Sequence, residues 1–297
     1  MLNDPVGKQK KVGVACALTA YVFWGFVPIY YKAVAHIPVF ELLAHRCVWS
    51  LLLTTILILI VGGWRESIKS LRSGGAVVGL LASTALVATN WTVFMWAIAN
   101  DRVLEASLGY YINPLISILL GYVFLHERLR KLQILSVLLA TGGVVVLTVA
   151  QGVPPWVALA LACSFGTYGL LRKTSKMGSL VGLNLETLLL MLPALVYLAS
   201  LAGRGTGHFG VVSRTTDLLL VFAGVATAVP LLLFTSAARR LRLSTVGFLQ
   251  FLAPSIHFLL AVWLYGESFT AAHAFCFGTI WAALALYVVD AMRSKAK

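Results

Sequence analysis

The sequence predicts an all-α integral membrane protein in which ten transmembrane helices form two inverted five-helix repeats. Of its 297 residues, 60% are hydrophobic and only 11% are charged, and the mean hydropathy is +0.92. A soluble domain carries about 25% charged residues, because its surface faces water. The basic residues also lie in short clusters between long apolar runs, a pattern typical of loops that alternate with membrane segments.

Ten apolar runs predict the helices in chain order, since each is long enough to cross a bilayer or nearly so. The first follows Lys8, Lys10 and Lys11 and continues to about Ala33. It is longer than the ~7–15-residue core of a signal peptide, so we expect it to be retained as a helix. The predicted spans are 12–34, 39–62, 75–99, 103–125, 132–150, 156–171, 180–202, 217–237, 243–265 and 270–290.

The distribution of positive charge predicts the orientation of these helices. Ten spans place six clusters of three Lys or Arg residues on one side of the membrane, and only five of the 23 basic residues on the other. Cytoplasmic loops carry the excess of positive charge, so both termini are predicted to be cytoplasmic. Because the clusters form no single patch, the net charge of +13 does not predict nucleic-acid binding. The clusters lie at 8–11, 65–72, 128–131, 172–176, 239–242 and 293–297.

An internal repeat divides the chain into residues 1–150 and 151–297. Pro114 precedes Glu127 by thirteen residues, and Pro254 precedes Glu267 by the same spacing, at an offset of 140. Each half holds five predicted helices, an odd number, so the second half enters the membrane inverted. The alternative is that two strings of apolar helices look alike without a shared origin. Inverted repeats are typical of transporters with a site near the midplane.

No enzymatic or cofactor motif is present in the sequence. The four cysteines lie in apolar segments without CxxC spacing, and the histidines are scattered, so we expect neither a disulfide framework nor a metal site. The chain has no phosphate-binding loop and no HExxH or GxSxG motif. We therefore expect no cofactor, no catalytic residue and no self-contained ATP pump.

The second predicted helix begins with polar residues on one face. Glu41, His45 and Trp49 are spaced four apart, so they lie on the same side of a helix. An ionisable side chain at the bilayer centre costs roughly 2.5–3.5 kcal/mol of insertion free energy, so its presence there indicates a functional or structural role. We interpret the three as candidate substrate-binding residues. The alternative is an interfacial anchor, and Arg46 beside them lies close enough to the boundary to snorkel.

The fourth and ninth predicted helices contain candidate cavity-lining residues at corresponding places. Glu105 and Asn113 lie on one face of the fourth helix, with Tyr110 alongside, and Gln250 and His257 share a face of the ninth. Each helix also holds a proline, which breaks the hydrogen-bond ladder and suits a cavity wall. A packed kink, or for His257 a hydrogen-bonded core histidine, is the alternative.

Glu186 is the leading candidate for binding a proton or a cationic substrate. It lies inside the seventh predicted helix, about 9 Å from the cytoplasmic end, and occupies the repeat position of His45. A salt bridge to a basic loop residue is the alternative. Glu127, in contrast, ends a helix among basic residues, which predicts capping and charge pairing.

Aromatic and amide side chains complete the predicted site. Asn90 and Trp91 offer a hydrogen-bonding amide and an aromatic face in the third helix, although interhelical packing explains them equally well. Trp24, Trp49 and Tyr110 are further candidates to hold an aromatic or amphipathic substrate by stacking or cation–π contact.

Several segments resemble the EamA branch of the drug/metabolite transporter superfamily. The resemblance covers nearly the whole chain and is most specific at residues 104–114 (LEASLGYYINP), with further matches at 45–50, 90–91, 186–187 and 240–250. It implies a ten-helix, two-repeat permease of the bacterial inner membrane that exports small molecules. It narrows the mechanism more than the cargo, since related branches move amino acids, nucleotide-like metabolites or drugs.

These observations together favour a secondary transporter that works by alternating access and is driven by protons or by another gradient. The expected partners are a small-molecule substrate, membrane lipid and protons. On this interpretation, Glu186→Gln abolishes transport and leaves expression intact. A non-transporting scaffold and an enzyme acting on lipid-linked substrates are the alternatives. The scaffold has no need of carboxylates inside the membrane, and the enzyme requires a nucleophile–base pair that the sequence lacks.

Overall fold

A computed structural model describes residues 5–72, 74–100, 102–152, 156–266 and 270–293 of the protein. Within these ranges every regular element is a helix. The helices are α1 (Pro5–Ala33), α2 (Val39–Val61), α3 (Trp64–Leu71), α4 (Gly74–Ala99), α5 (Val103–Phe124), α6 (Lys131–Gln151), α7 (Trp156–Thr174), α8 (Ser179–Arg204), α9 (Arg214–Arg240), α10 (Leu243–Gln250), α11 (Leu252–Leu259) with a π-helical segment (Leu260–Leu264), and α12 (Ala271–Arg293).

Nine helical segments of the described chain are long and apolar enough to cross a membrane. The predicted all-α membrane fold is therefore confirmed, and most helix bounds agree with the prediction to within three residues. The predicted sixth span corresponds to α7, which is not among the nine. It is 19 residues long, carries Arg172 and Lys173 in its last turn, and packs against α4, α5 and α9.

The structure differs from the prediction at three places. First, α1 begins at Pro5, so the N-terminal lysine cluster is helical. Second, the short helix α3 follows α2 and exposes the apolar side chains of Trp64 and Leu71. Third, the predicted ninth helix is interrupted at Phe251, between α10 and α11. Pro254 lies three residues later and has no N–H to donate to the carbonyl of Gln250, which accounts for the interruption.

The helices pack in a pattern that leaves α6 and α12 at one side of the bundle. These two helices pack against each other, whereas α1 packs against α9 and α11, and α7 packs against α4 and α5. Helix α2 contacts both α8 and α9. The largest cluster of buried apolar residues lies among α1, α2, α4, α7, α8 and α9. A central space remains among α1, α2, α4, α5, α7, α9, α10 and α11.

One end of the bundle gathers the basic clusters, and we call it the basic end. Arg240 donates from Nε to Gln9 at 2.9 Å, which joins the end of α9 to the start of α1. Arg130 forms a 2.9 Å ion pair with Asp290, which joins the start of α6 to the end of α12. The segment before α6 is hydrogen-bonded to the segment after α9, so the beginning of α1 and the end of α12 lie at the same end of the bundle.

Glu127 caps a helix at the basic end, as predicted. Its carboxylate accepts hydrogen bonds from the backbone N–H groups of Leu243 and Ser244 at 2.6 and 2.9 Å, and from the Ser244 hydroxyl at 2.7 Å. An anion at this position satisfies the free N–H groups at the start of α10. Arg242 lies 3.7 Å from the same carboxylate, so Glu127 also pairs with a basic residue, one from a distant part of the chain. The repeat counterpart, Glu267, lies outside the described residues.

Candidate functional site

A cavity of about 500 Å³ lies inside the helix bundle, with walls formed by α1, α2, α4, α5, α7, α9, α10 and α11. Its lining includes Lys32, Ala35 and Tyr265, which lie at the ends of α1 and of the π-helical segment. The cavity therefore reaches the end of the bundle opposite the basic end. Its deepest lining residues include Trp24, which is about 14 Å from the end of α1 by the helical rise. A cavity of this size suits a small organic molecule.

A cluster of aromatic rings, which we call the floor, closes the cavity toward the basic end. It consists of Tyr21, Trp24, Phe165, Tyr168 and Phe234. The ring centroids of Phe165 and Phe234 are 4.9 Å apart, those of Trp24 and Phe234 are 5.9 Å apart, and Phe234 stacks on Tyr168 at 6.4 Å. Because the rings come from α1, α7 and α9, the floor closes only while these three helices stay together.

Two cations lie in the cavity wall. Arg46 donates from Nε to the hydroxyl of Thr227 at 2.8 Å, and its guanidinium carbon lies 5.0 Å from the ring centroid of Trp91. Near the mouth, the ammonium group of Lys32 lies 3.2 Å from the ring centroid of Tyr265. Such cation–π contacts hold a positive charge beside an apolar surface. The interior of the cavity is therefore positively charged.

Three amide side chains also line the cavity. Asn90 donates to the carbonyl of Leu161 at 2.9 Å and to the hydroxyl of Ser164 at 3.1 Å, so it joins α4 to α7. The side-chain oxygens of Asn113 and Gln250 are buried and have no hydrogen-bond partner among the described residues. An unpaired buried carbonyl is costly, so these two oxygens are available to a bound donor.

His257 and Tyr110 form the side of the cavity nearest α11. The Nε2 atom of His257 lies 2.9 Å from the carbonyl oxygen of Trp24. A carbonyl only accepts, so Nε2 is the protonated nitrogen in this hydrogen bond. The ring of Tyr110 meets His257 edge to face at 5.3 Å and Phe94 at 6.0 Å. The hydrogen bond and the ring contacts hold His257 in one orientation.

Seven of the twelve residues predicted from the sequence to bind substrate lie in the cavity wall. They are Trp24, Asn90, Trp91, Tyr110, Asn113, Gln250 and His257.

Glu186 does not line the cavity. It is fully buried near the basic end, where it accepts a hydrogen bond from Ser83 at 2.5 Å and another from Tyr168 at 3.1 Å. The guanidinium of Arg172 lies 3.7 Å away. This guanidinium lies against Gly182, where a side chain would collide with it. Three helices, α4, α7 and α8, therefore meet in a closed polar cluster around Glu186, formed by Ser83, Tyr168, Arg172 and Glu186.

Glu41, His45 and Trp49 lie on another face of α2, toward the loop between α8 and α9. Glu41 accepts from the backbone N–H of His208 at 2.7 Å and lies 2.8 Å from its ring Nδ1. Trp49 donates from Nε1 to His45 Nδ1 at 3.2 Å, and the rings of both pack against Phe209. This face of α2 holds the loop in place, and none of the three predicted residues lines the cavity.

Glu105 is also placed outside the cavity. It is buried in the first turn of α5, where it forms a 2.9 Å ion pair with Arg102. Arg102 also lies over the rings of Trp96 and Trp156, at 5.6 and 5.2 Å. Glu105 therefore stabilises the start of α5.

Sequence reasoning missed the two cations of the cavity wall. Lys32 is counted in the sequence only as one of the five basic residues on the less basic side of the membrane, and Arg46 is expected to snorkel near the membrane boundary. The signal in the sequence was weak. Arg46 follows His45 directly, so it points about 100° away from the helix face that carries Glu41, His45 and Trp49. Its partners, Trp91 and Thr227, come from distant parts of the chain.

Comparison with known proteins places this architecture among transporters. The sequence profile of the EamA-like transporter family matches residues 11–149. An uncharacterized transporter of Vibrio cholerae is 46% identical over 294 residues, covering 99% of this chain and 97% of that protein. Protein RarD of Salmonella typhi is 45% identical over 290 residues, covering 98% of this chain and 99% of that protein. A solved crystal structure matches with a TM-score of 0.69 at 19% identity, over 93% of this chain and 97% of the other, which concerns the fold alone.

The chain is thus a multi-pass membrane protein of the transporter class. It belongs to the EamA-like transporter family, in the drug/metabolite transporter superfamily, and the resemblance inferred from residues 104–114 is confirmed.

Proposed function

We propose that the protein is a secondary transporter that moves a small metabolite or drug-like molecule across the bacterial inner membrane by alternating access. The observation that carries the proposal is the cavity of about 500 Å³, which is open toward one end of the bundle and closed toward the other by the aromatic floor. A transporter needs a site that faces one side at a time. The bacterial relatives with transporter names support the same function.

Two inverted repeats, 1–150 and 151–297, form part of this proposal. The packing supports it, because exchanging helices with their counterparts in the other half preserves the most extensive contacts. Helix α1 packs on α9 and α11, and its counterpart α7 packs on α4 and α5. Helix α2 packs against its counterpart α8, and α6 packs against its counterpart α12, as counterparts on a two-fold axis do. The short helix α3 has no counterpart among the described residues.

The alternative conformation requires the basic end to open, and specific contacts hold it closed. Arg239 donates to the carbonyls of Ser175, at 2.7 Å, and Met177. Glu66 accepts from the backbone N–H of Gly178 at 2.8 Å. Lys173 donates to the carbonyl of Ala238 at 3.1 Å. The contact between Glu66 and Gly178 joins the two halves, so it breaks or rearranges when they rock. The contacts of Arg239 and Lys173 hold the α7–α8 connection against α9 within the second half.

The basic clusters favour an orientation in which the basic end and both termini are cytoplasmic. The cavity then faces outward in this conformation. We propose that protons or another gradient drive the cycle. Glu186 is shielded in the closed polar cluster, so any protonation of its carboxylate takes place after the basic end opens.

The proposal is tested by blocking the cavity. Cells that lack the protein, cells that produce it and cells that produce Ser107→Trp are compared for metabolites in the cells and in the medium. Ser107 lines the cavity, so tryptophan there fills space that a substrate needs. Leu119→Trp on the same helix is the matched control, because Leu119 is 53% exposed and lies outside the cavity wall.

The metabolite that changes most is then measured in proteoliposomes at two pH values. We expect flux with the unaltered protein and with Leu119→Trp, and loss of flux with Ser107→Trp. A pH gradient that accelerates flux identifies proton coupling. Equal flux with Ser107→Trp overturns transport through this cavity. Turnover of a compound by purified protein in detergent favours a membrane enzyme, and loss of a protein partner without a metabolite change favours a scaffold.

A further inference from the structure

We infer that the cavity binds a small organic anion, one with a carboxylate or phosphate group attached to a planar or apolar body. This inference rests on the proposed function, since it names the chemical class of the transported substrate. It is carried by Arg46, by its surroundings and by the charges of the described cavity wall.

Arg46 is fixed in an orientation that leaves its anion-binding groups available. Its Nε is occupied by Thr227 and its guanidinium plane is supported by Trp91. The two terminal nitrogens form no hydrogen bond to any described residue. Two neighbouring N–H groups of a guanidinium match the two oxygens of a carboxylate or phosphate. A side chain held by two partners loses little entropy when it binds a ligand.

The positive charge of the cavity is not neutralised by the described wall. No Asp or Glu occurs among the lining residues that the structure describes, whereas Lys32 and Arg46 both do. Two carboxylates close to the cavity wall lie outside it. Glu41 is bound by His208, and one oxygen of Glu105 pairs with Arg102, while its Oε2 is buried without a described partner.

A cation inside a membrane protein is costly unless an anion or water compensates its charge. A bound anion supplies this compensation at Arg46. The same charges disfavour a cationic substrate, although the wall contains Trp24, Trp91 and Tyr110. Aromatic rings alone attract cations, but here the ring of Trp91 already carries the guanidinium of Arg46. The remaining rings suit the apolar part of an anionic ligand.

The first experiment measures the charge of the cavity without a known substrate. The four cysteines are replaced by serine or alanine and Ser107→Cys is introduced. The introduced cysteine is treated with two methanethiosulfonate reagents, the anionic sulfonatoethyl and the cationic trimethylammonioethyl compound. The reaction rates of this cysteine are compared with those of a free thiol. We expect the anionic reagent to be favoured about tenfold relative to the free thiol, because a cleft of one charge concentrates the opposite charge.

Variants of Arg46 show whether this residue is the source of the preference. We expect Arg46→Gln to remove most of the preference for the anionic reagent and Arg46→Lys to retain it. The comparison of the two variants distinguishes the loss of a charge from a loss of folding. A preference for the cationic reagent, or a preference that Arg46→Gln leaves unchanged, overturns the inference. No reaction with either reagent instead contradicts the open cavity, and with it the proposed transport function.

The second experiment measures binding with one ring and three head groups. Phenylacetate, phenylacetamide and phenethylammonium are added at equal millimolar concentration, and thermal unfolding of the purified protein is recorded. We expect phenylacetate to raise the unfolding temperature most, and Arg46→Gln to remove the difference. Equal stabilisation by the amide or the cation, or none by the carboxylate, overturns the inference.

Discussion

The carboxylate of Glu186 lies 3.7 Å from the guanidinium of Arg172, with side-chain exposures of 0% and 1%. Nε and one terminal nitrogen of Arg172 have no hydrogen-bond partner among the described residues, and the other terminal nitrogen donates to the carbonyl of Gly178 at 3.0 Å. Glu186 is thus the carboxylate that compensates a fully buried positive charge. Its position indicates a structural role in the closed conformation.

Glu186→Gln therefore destabilises the protein. Removing one partner of a buried ion pair leaves the other uncompensated, at a cost of about 3–5 kcal/mol. Thermal unfolding in detergent measures the loss. In the double variant Glu186→Gln with Arg172→Met, the buried charge is gone, and we expect part of the stability to return. An unchanged unfolding temperature in the single variant, with transport lost, restores the sequence-based expectation that Glu186 acts directly in transport.

Gly182 and Gly203 provide a matched pair of substitutions in α8. A methyl group at Gly182 collides with the guanidinium of Arg172, whereas no other residue lies close to Gly203. Gly182→Ala forces Arg172 away from Glu186 and lowers stability. Gly203→Ala is neutral, or stabilises by up to about 1 kcal/mol through helix propensity. The unfolding temperatures of the two variants are compared, and equal values contradict the close packing of Arg172 on α8.

Asn113→Leu is expected to stabilise the empty protein. The side-chain oxygen of Asn113 is buried without a described partner, and replacing it with an apolar group removes a penalty of about 1–3 kcal/mol. Asn90→Leu is the control, because the Asn90 amide has two hydrogen bonds and its loss destabilises. The unfolding temperatures of the two variants without ligand test both expectations. A lower stability of Asn113→Leu means that this oxygen has a partner, such as water.

Phe234→Ala is expected to open the floor. Phe234 contacts Tyr21, Trp24, Phe165 and Tyr168, so its removal leaves a gap between the cavity and the basic end. In inside-out vesicles, the cysteine of Ser107→Cys then reacts faster with a membrane-impermeant thiol reagent. Phe277→Ala also removes a buried ring but lies away from the floor, and its rate stays unchanged. Equal rates in both variants contradict the floor as the closure.

The fold was largely predictable because lipid imposes a simple condition on composition and length. Helix α2 was predicted at 39–62 and occurs at Val39–Val61. The interruption at Phe251 was not predicted in position, since Pro254 indicates a break without specifying the turn in which it occurs. Helix α3 was missed because it is only eight residues long and has no apolar run of membrane length.

The location of a side chain was predictable where its neighbours in the sequence allow only one environment. It was less predictable where the location depends on a partner that is distant in the chain. Asn113 and Gln250, inside apolar runs beside prolines, do lie in the cavity wall. Glu186 was an equally good candidate by sequence, but Ser83, 103 residues away, and Arg172 enclose it. Arg46 shows the reverse case, because only the fold brings Thr227 to its Nε and turns its guanidinium inward. Spacing along one helix cannot reveal such long-range pairings.

The floor contains a natural fluorophore. Trp24 lies within 6 Å of the rings of Tyr21, Phe165 and Phe234, so its indole emission depends on whether α1, α7 and α9 stay together. When the helices separate, the indole loses these ring contacts and its surroundings change, so its emission changes. With the other seven tryptophans replaced by phenylalanine, the protein would signal each closure optically, without an attached dye.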